Sequence, residues 1–123
     1  MRFQGLEIGA TRFGESGSPF LSARRLSEQL GVTQSELAKL IGIARNTLTA
    51  KSATRKVDVA LSPIIRILAM ATEMAGGENR AVIWFKHQPI PGWAGKTAYD
   101  LVGQGKSDQV LAYLEAVRSG VYA

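Results

Sequence analysis

Apolar positions fall into helical register once the chain passes Ser22, with Leu26 and Leu30 one turn apart and Gly31 as a stop. Thr33 is suited to cap a second helix, because Glu36 three residues on completes a capping box. Leu37, Ala38, Leu40 and Ile41 form that helix's buried face, and Gly42 ends it. A third helix is predicted from about Ala44 to Ala50 with Leu48 inward, followed by a polar, basic connector from Thr54 to Asp58. Ser62-Pro63 then opens a strongly apolar fourth helix through Met74, with proline suited to a first turn. Gly76-Gly77 marks a hinge. Beyond it the pattern predicts three short helices: one over about Asn79 to Lys86, one capped by Thr97, and one capped by Ser107. The Pro89 to Lys96 loop separates the first two, Asp100 sits favourably in the second helix's first turn, and Gly103 and Gly105 break that helix. Val110, Leu111, Leu114 and Val117 line the last. The expected fold is all-α in three parts: an arm over residues 1–20, a helical domain over 21–75 and a small helical module over 76–123. The arm is glycine-rich and is read either as poorly ordered or as holding a short strand near Leu6-Glu7-Ile8.

Gln34 to Lys51 has the spacing of a helix-turn-helix. Ala38 is small where two helices would cross closely, and Gly42 four residues later can take the left-handed conformation of a tight turn. Ile43 and Leu48 would plug the core behind it. Arg45, Asn46, Thr47, Thr49 and Lys51 then lie on or near the outer face of the second helix, the one that enters the major groove in this motif. Arginine and asparagine can bond guanine and adenine edges through two atoms at once, while threonine bonds a phosphate or touches a thymine methyl. Gln34 at the start of the first helix is placed to bond a phosphate, and Lys51, Arg55 and Lys56 add attraction that does not depend on sequence.

Charge sharpens this reading. The net charge is +5, and Lys39 to Arg66 holds six bases against one acid, whereas five bases and four acids follow Met74. A basic segment beside a near-neutral one points to a polyanion for the first and another kind of partner for the second. The chain has no cysteine, which removes disulfides, thiolate metal sites and thiol nucleophiles and fits a reducing cytoplasm. No window reaches the ~18 consecutive apolar residues of a membrane span, and the first residues lack a signal-peptide apolar core.

Catalysis finds little support. Gly95-Lys96-Thr97 suggests a phosphate loop, but Ile90 occupies the position where that motif needs its first glycine. His87 is the single histidine and has no metal-binding neighbour one turn away. No enzyme activity, cofactor or metal is expected.

The last forty or so residues hold both tryptophans, Trp84 and Trp93, and end on Gly120-Val121-Tyr122-Ala123. A solvated terminus is normally polar and frayed, because nothing offsets the entropy of ordering it. An apolar end implies packing, either on a partner, on the protein's own core or across a homodimer.

Residues Leu26 to Leu68 resemble the Xre or Cro-type helix-turn-helix family. The combination of Trp84-Phe85, Pro89, Gly95-Lys96-Thr97, Leu101, Gly105, Val110, Leu114 and the Gly120-Val121-Tyr122-Ala123 end resembles the toxin-binding domain of Xre/MbcA/ParS antitoxins, over about Asn79 to Ala123. Ala98 and Trp93 depart from the proline and leucine common there. The resemblance implies a type II antitoxin that represses its own operon, acting as a homodimer or within a larger complex. Its partner would be a RES-domain toxin, similar to ADP-ribosyltransferases and consuming NAD. In the family the C-terminal segment reaches the toxin's substrate pocket, which assigns the block to Arg118, Gly120, Val121, Tyr122 and Ala123, with Trp84 and Lys96 also at the toxin interface. The alternative is a stand-alone transcription regulator whose second module oligomerises or senses a ligand.

Overall fold

The structure, a computed structural model, describes residues 19–120. Most of the expected arm, the Leu6-Glu7-Ile8 strand included, lies outside them, as do Val121, Tyr122 and Ala123. Among the described residues there are seven α-helices and no strand. They are α1 (Pro19–Leu30), α2 (Gln34–Ile41), α3 (Arg45–Leu48), α4 (Thr54–Ala75), α5 (Glu78–His87), α6 (Ala98–Gly103) and α7 (Ser107–Arg118), with a 3-10 turn over Lys51–Ala53. The fold is all-α. No single helix among them is long and apolar enough to cross a membrane. The chain divides into two compact units at Ser62/Pro63.

In the first unit α1 packs on α2 and α3, and α2 packs on α3. Helix α1 begins at Pro19, earlier than the spacing of its leucines indicated, with proline in the first position where its missing N–H is no loss. Ser27 is buried mid-helix and its hydroxyl donates to the Arg24 carbonyl at 2.8 Å. Thr33 forms the expected capping box: Glu36 N–H donates to Thr33 Oγ1 at 3.0 Å, and Thr33 N–H donates to Glu36 Oε1 at 2.8 Å. Gly42 closes α2 with φ 75°, while Ile43 N–H donates to the Ala38 carbonyl at 2.9 Å and Gly42 N–H to that of Lys39 at 3.2 Å. This pair of bonds is a Schellman closure, which satisfies carbonyls that the helix end would orphan. Leu26, Leu30, Leu37, Ala38, Leu48, Val57 and Leu61 are buried together as the apolar interior of this unit.

Two elements differ from expectation. Helix α3 is one turn, Arg45–Leu48, and not the longer helix over Ala44 to Ala50. Thr49 leaves helical geometry at φ −110°, ψ 9°, and Ala50 is extended. Two threonines flank Leu48, and branching at Cβ disfavours a helix that has no side-chain cap at Ala44. The connector expected over Thr54 to Asp58 is instead the start of α4, which runs through Pro63 to Ala75. Proline removes the bond to the Val59 carbonyl four residues back. Val59 is 67% exposed, so water reaches that side of the helix and can satisfy the carbonyl.

The second unit packs α5 on α6 and α6 on α7, with Ile64, Ile67, Leu68 and Ala71 of α4 buried in the same unit. Phe85, Ile90, Leu101, Val110 and Leu114 complete its core. Phe85 meets Tyr99 edge to face at 5.9 Å between centroids. Thr97 and Asp100 form a second capping box, with bonds of 3.1 and 3.0 Å. Lys106, not Ser107, occupies the cap position of α7, and it makes no side-chain cap bond. Ser107 is the first helical residue instead.

Gly42→Ala places a side chain where a Cβ would meet nothing within 4 Å, so it costs only the left-handed backbone strain, about 1 kcal/mol. Leu48→Ala opens the core behind the turn and should cost about 2–5 kcal/mol. Urea unfolding should therefore show a small shift for the first and a several-fold larger one for the second.

Candidate nucleic-acid and partner interfaces

The sequence-predicted nucleic-acid residues all fall within the first unit. Arg45 and Asn46 are the first two residues of α3 and both are exposed. Thr47 and Thr49 are half-buried, which suits a hydroxyl that bonds a phosphate beside the protein surface better than one reaching into a groove. Lys51 stands exposed on the 3-10 turn, and Arg55 and Lys56 stand exposed on the first turn of α4. None of Arg45, Lys51, Arg55 and Lys56 enters an ion pair among the described residues. Their charges are therefore available to a polyanion without breaking an internal bond.

Gln34 opens α2 and is half-buried. Its Oε1 is buried without a hydrogen-bond partner among the described residues. A phosphate accepts hydrogen bonds, so the amide Nε2 is the end of this side chain that suits one. Lys39, the first base of the basic run, is also exposed, in the last turn of α2.

The residues expected at a protein partner stand on separate elements of the second unit. Trp84 lies on α5 and Lys96 at the end of the Ile90 to Lys96 loop, and both are half-buried. The loop is closed tightly: Ile90 N–H donates to the Lys96 carbonyl at 2.8 Å, and Pro89 and Thr97 form an isolated bridge. Lys96 N–H in turn donates to the Trp93 carbonyl at 3.0 Å. Lys106 Nζ lies 5.3 Å from the Trp93 ring centroid, a cation–π contact that ties the loop to the start of α7. Ala94 at the loop's tip has φ 54°, a left-handed geometry seldom taken by residues other than glycine.

Arg118 ends α7, where a cation is favoured by the helix dipole. It pairs with Glu115 at 2.6 Å and with Glu73 of α4 at 3.7 Å, and its side chain remains 47% exposed. Exposed pairs of this kind are worth about 0–1 kcal/mol, so a stronger acceptor on a partner can take the guanidinium over. Gly120 follows with φ 89°. Val121, Tyr122 and Ala123 lie outside the described residues.

Two family comparisons match consecutive parts of the chain. Residues 11–63 match the antitoxin Xre-like helix-turn-helix domain, and residues 70–120 match the antitoxin Xre/MbcA/ParS C-terminal toxin-binding domain. The chain belongs to the Xre family of antitoxins. This antitoxin is of the type II class, with a helix-turn-helix of the DNA-binding kind and a toxin as its partner. No curated protein and no solved structure matches the chain. The toxin-binding match covers α5, α6, α7 and the closed loop, and ends at Gly120.

Lys106→Met keeps the aliphatic stem but removes the cation over Trp93. It should lower the stability of the antitoxin by about 0.5–1 kcal/mol, read as a small fall in melting temperature that Trp93→Leu reproduces.

Proposed function

We propose that this antitoxin neutralises a RES-domain toxin that consumes NAD, by occluding the toxin's active site with its C-terminal segment. It represses its own operon through the helix-turn-helix, in the cytoplasm, as a homodimer or as part of a larger toxin–antitoxin assembly. The toxin-binding match running to Gly120, directly before Val121-Tyr122-Ala123, carries this reading. Tyrosine and arginine are frequent anchors of protein interfaces. Arg118 and Tyr122 therefore supply the polar and aromatic parts of the plug, and Val121 and Ala123 its apolar part. A guanidinium bonds a carboxylate through two parallel N–H groups, so Arg118 can engage a carboxylate at the toxin's pocket. Trp84 and Lys96 belong to the same interface.

On the DNA side, Arg45 and Asn46 read bases, Gln34, Thr47 and Thr49 fix the register on phosphates, and Lys51, Arg55 and Lys56 supply attraction common to all sequences. Arg45, Lys51, Arg55 and Lys56, unpaired among the described residues, support a polyanionic partner. A stand-alone regulator with an oligomerising second module would leave the toxin-binding match without a role.

Deleting residues 118–123 should weaken inhibition of a co-expressed RES-domain toxin by about thirtyfold or more, the loss of one interface hot spot. NAD consumption by the purified complex measures it, and undiminished inhibition by the shortened chain would refute the plug. Operator binding by the same variant should stay unchanged.

Arg45→Ala should weaken binding to the operator by about 1–3 kcal/mol and relax preference at one base. Lys51→Ala should weaken binding to all sequences alike and flatten the salt dependence by about one unit of slope. Fluorescence anisotropy at several salt concentrations separates the two, and equal behaviour of both variants would show that α3 does not face the groove.

A further inference from the structure

Helix α5 buries Ala81 and Phe85, one turn apart, and so fixes which of its sides faces inward. Ile83 stands two residues from each, about 160–200° round the helix from them, and its side chain is 60% exposed. Arg80, Ile83, Trp84 and His87 fall at i, i+3, i+4 and i+7, which makes them one outer stripe. Arg80 and His87 are exposed and Trp84 is half-buried at the edge of the stripe. Nothing in the unit's own packing needs an isoleucine at a solvent position, where straight-chain residues favour the helix more.

The charges beside it have one sign. The helix positions three and four residues from Arg80 are Gly76, Gly77, Ile83 and Trp84, so no carboxylate of α5 can answer it. Arg80 forms no ion pair among the described residues. A surface with an apolar centre, an aromatic shoulder and an uncompensated guanidinium one turn away has the composition of an interface core and rim. Anchors at i, i+3, i+4 and i+7 are the pattern by which a helix enters a groove.

We infer that the outer face of α5 extends the contact assigned to Trp84 into a docking surface for the toxin beyond the C-terminal plug, with Ile83 and Trp84 entering an apolar groove whose rim carries carboxylates opposite Arg80. The inference rests on the toxin-inhibitor reading above, and names the toxin as occupant because the face lies inside the matched toxin-binding region and its charge calls for an acidic complement. The face would supply affinity and orientation, so that the terminal segment is delivered to the pocket already aligned.

The test uses the full chain and a co-expressed RES-domain toxin, with affinity, association rate and inhibition of NAD consumption measured in parallel. Ile83→Glu should weaken binding by about tenfold or more and Ile83→Lys by less, because only the first adds a charge of the groove's own sign. Arg80→Ala should slow association and reduce its salt dependence. Since Ile83 faces solvent, the melting temperature of all three variants should stay that of the wild type. Unchanged affinity of Ile83→Glu for a toxin that the wild type inhibits would overturn the surface while leaving the plug in place. Dissociation of an antitoxin dimer by Ile83→Glu, with toxin affinity intact, would assign the face to a second copy and overturn it equally. Failure of the wild type to bind or inhibit the toxin would remove the functional reading and this surface with it.

Discussion

One helix serves two hydrophobic interiors. Helix α4 contributes Val57 and Leu61 to the first unit and Ile64, Ile67, Leu68 and Ala71 to the second, on either side of Pro63. Spacings of three and four residues keep all six on a continuous stripe, so the proline's missing hydrogen bond is outweighed by burial on both sides of it. In the first unit, the Schellman closure at Gly42 turns the chain so that Leu48 returns to the core; in the second, the closed loop between Pro89 and Thr97 holds Ile90 buried.

Most of this was legible because it rests on local chemistry. The two capping boxes, the left-handed glycine after Ile41 and most of the buried faces of α2 and α7, where Ile41 and Val117 are only half-buried, each follow from residues within a few positions of one another. Most of what escaped depended on packing beyond the nearest turn of the chain. Thr54 to Asp58 looks like a connector by composition, yet Val57 one turn before Leu61 is held helical by the core it enters. Ser62-Pro63 looks like a helix start, and only the length of the buried stripe shows that the helix runs through it. Helix α3 ends early because two threonines flank its one buried leucine, a local preference that the expected motif length overrode.

The candidate surfaces divide in the same way. The positions proposed for DNA from Gln34 to Lys56 stood out as a set, since charge and helix-turn-helix spacing coincide there; Arg45, Asn46, Lys51, Arg55 and Lys56 are exposed, whereas Gln34, Thr47 and Thr49 are half-buried. On the partner side, tryptophan, lysine and arginine drew notice by residue type, while Ile83 did not: an isoleucine beside Trp84 and Phe85 reads as core until the positions of Ala81 and Phe85 show which way the helix faces. Glu73, the second carboxylate beside Arg118, was equally hidden, because it is distant in sequence.

The brevity of α3 carries a consequence for selectivity. On the proposed reading, in which α3 faces the groove, its single turn offers little beyond Arg45 and Asn46 and can distinguish only a few base pairs per copy, at about 1–3 kcal/mol for each good two-atom contact. Against the about 10⁶–10⁹ competing positions of a genome, such a short vocabulary cannot single out one address. Discrimination then has to come from repetition, with several copies held side by side on the duplex, or from the ease with which particular sequences bend. On that reading, whatever gathers copies of this chain together would also decide which genes it finds.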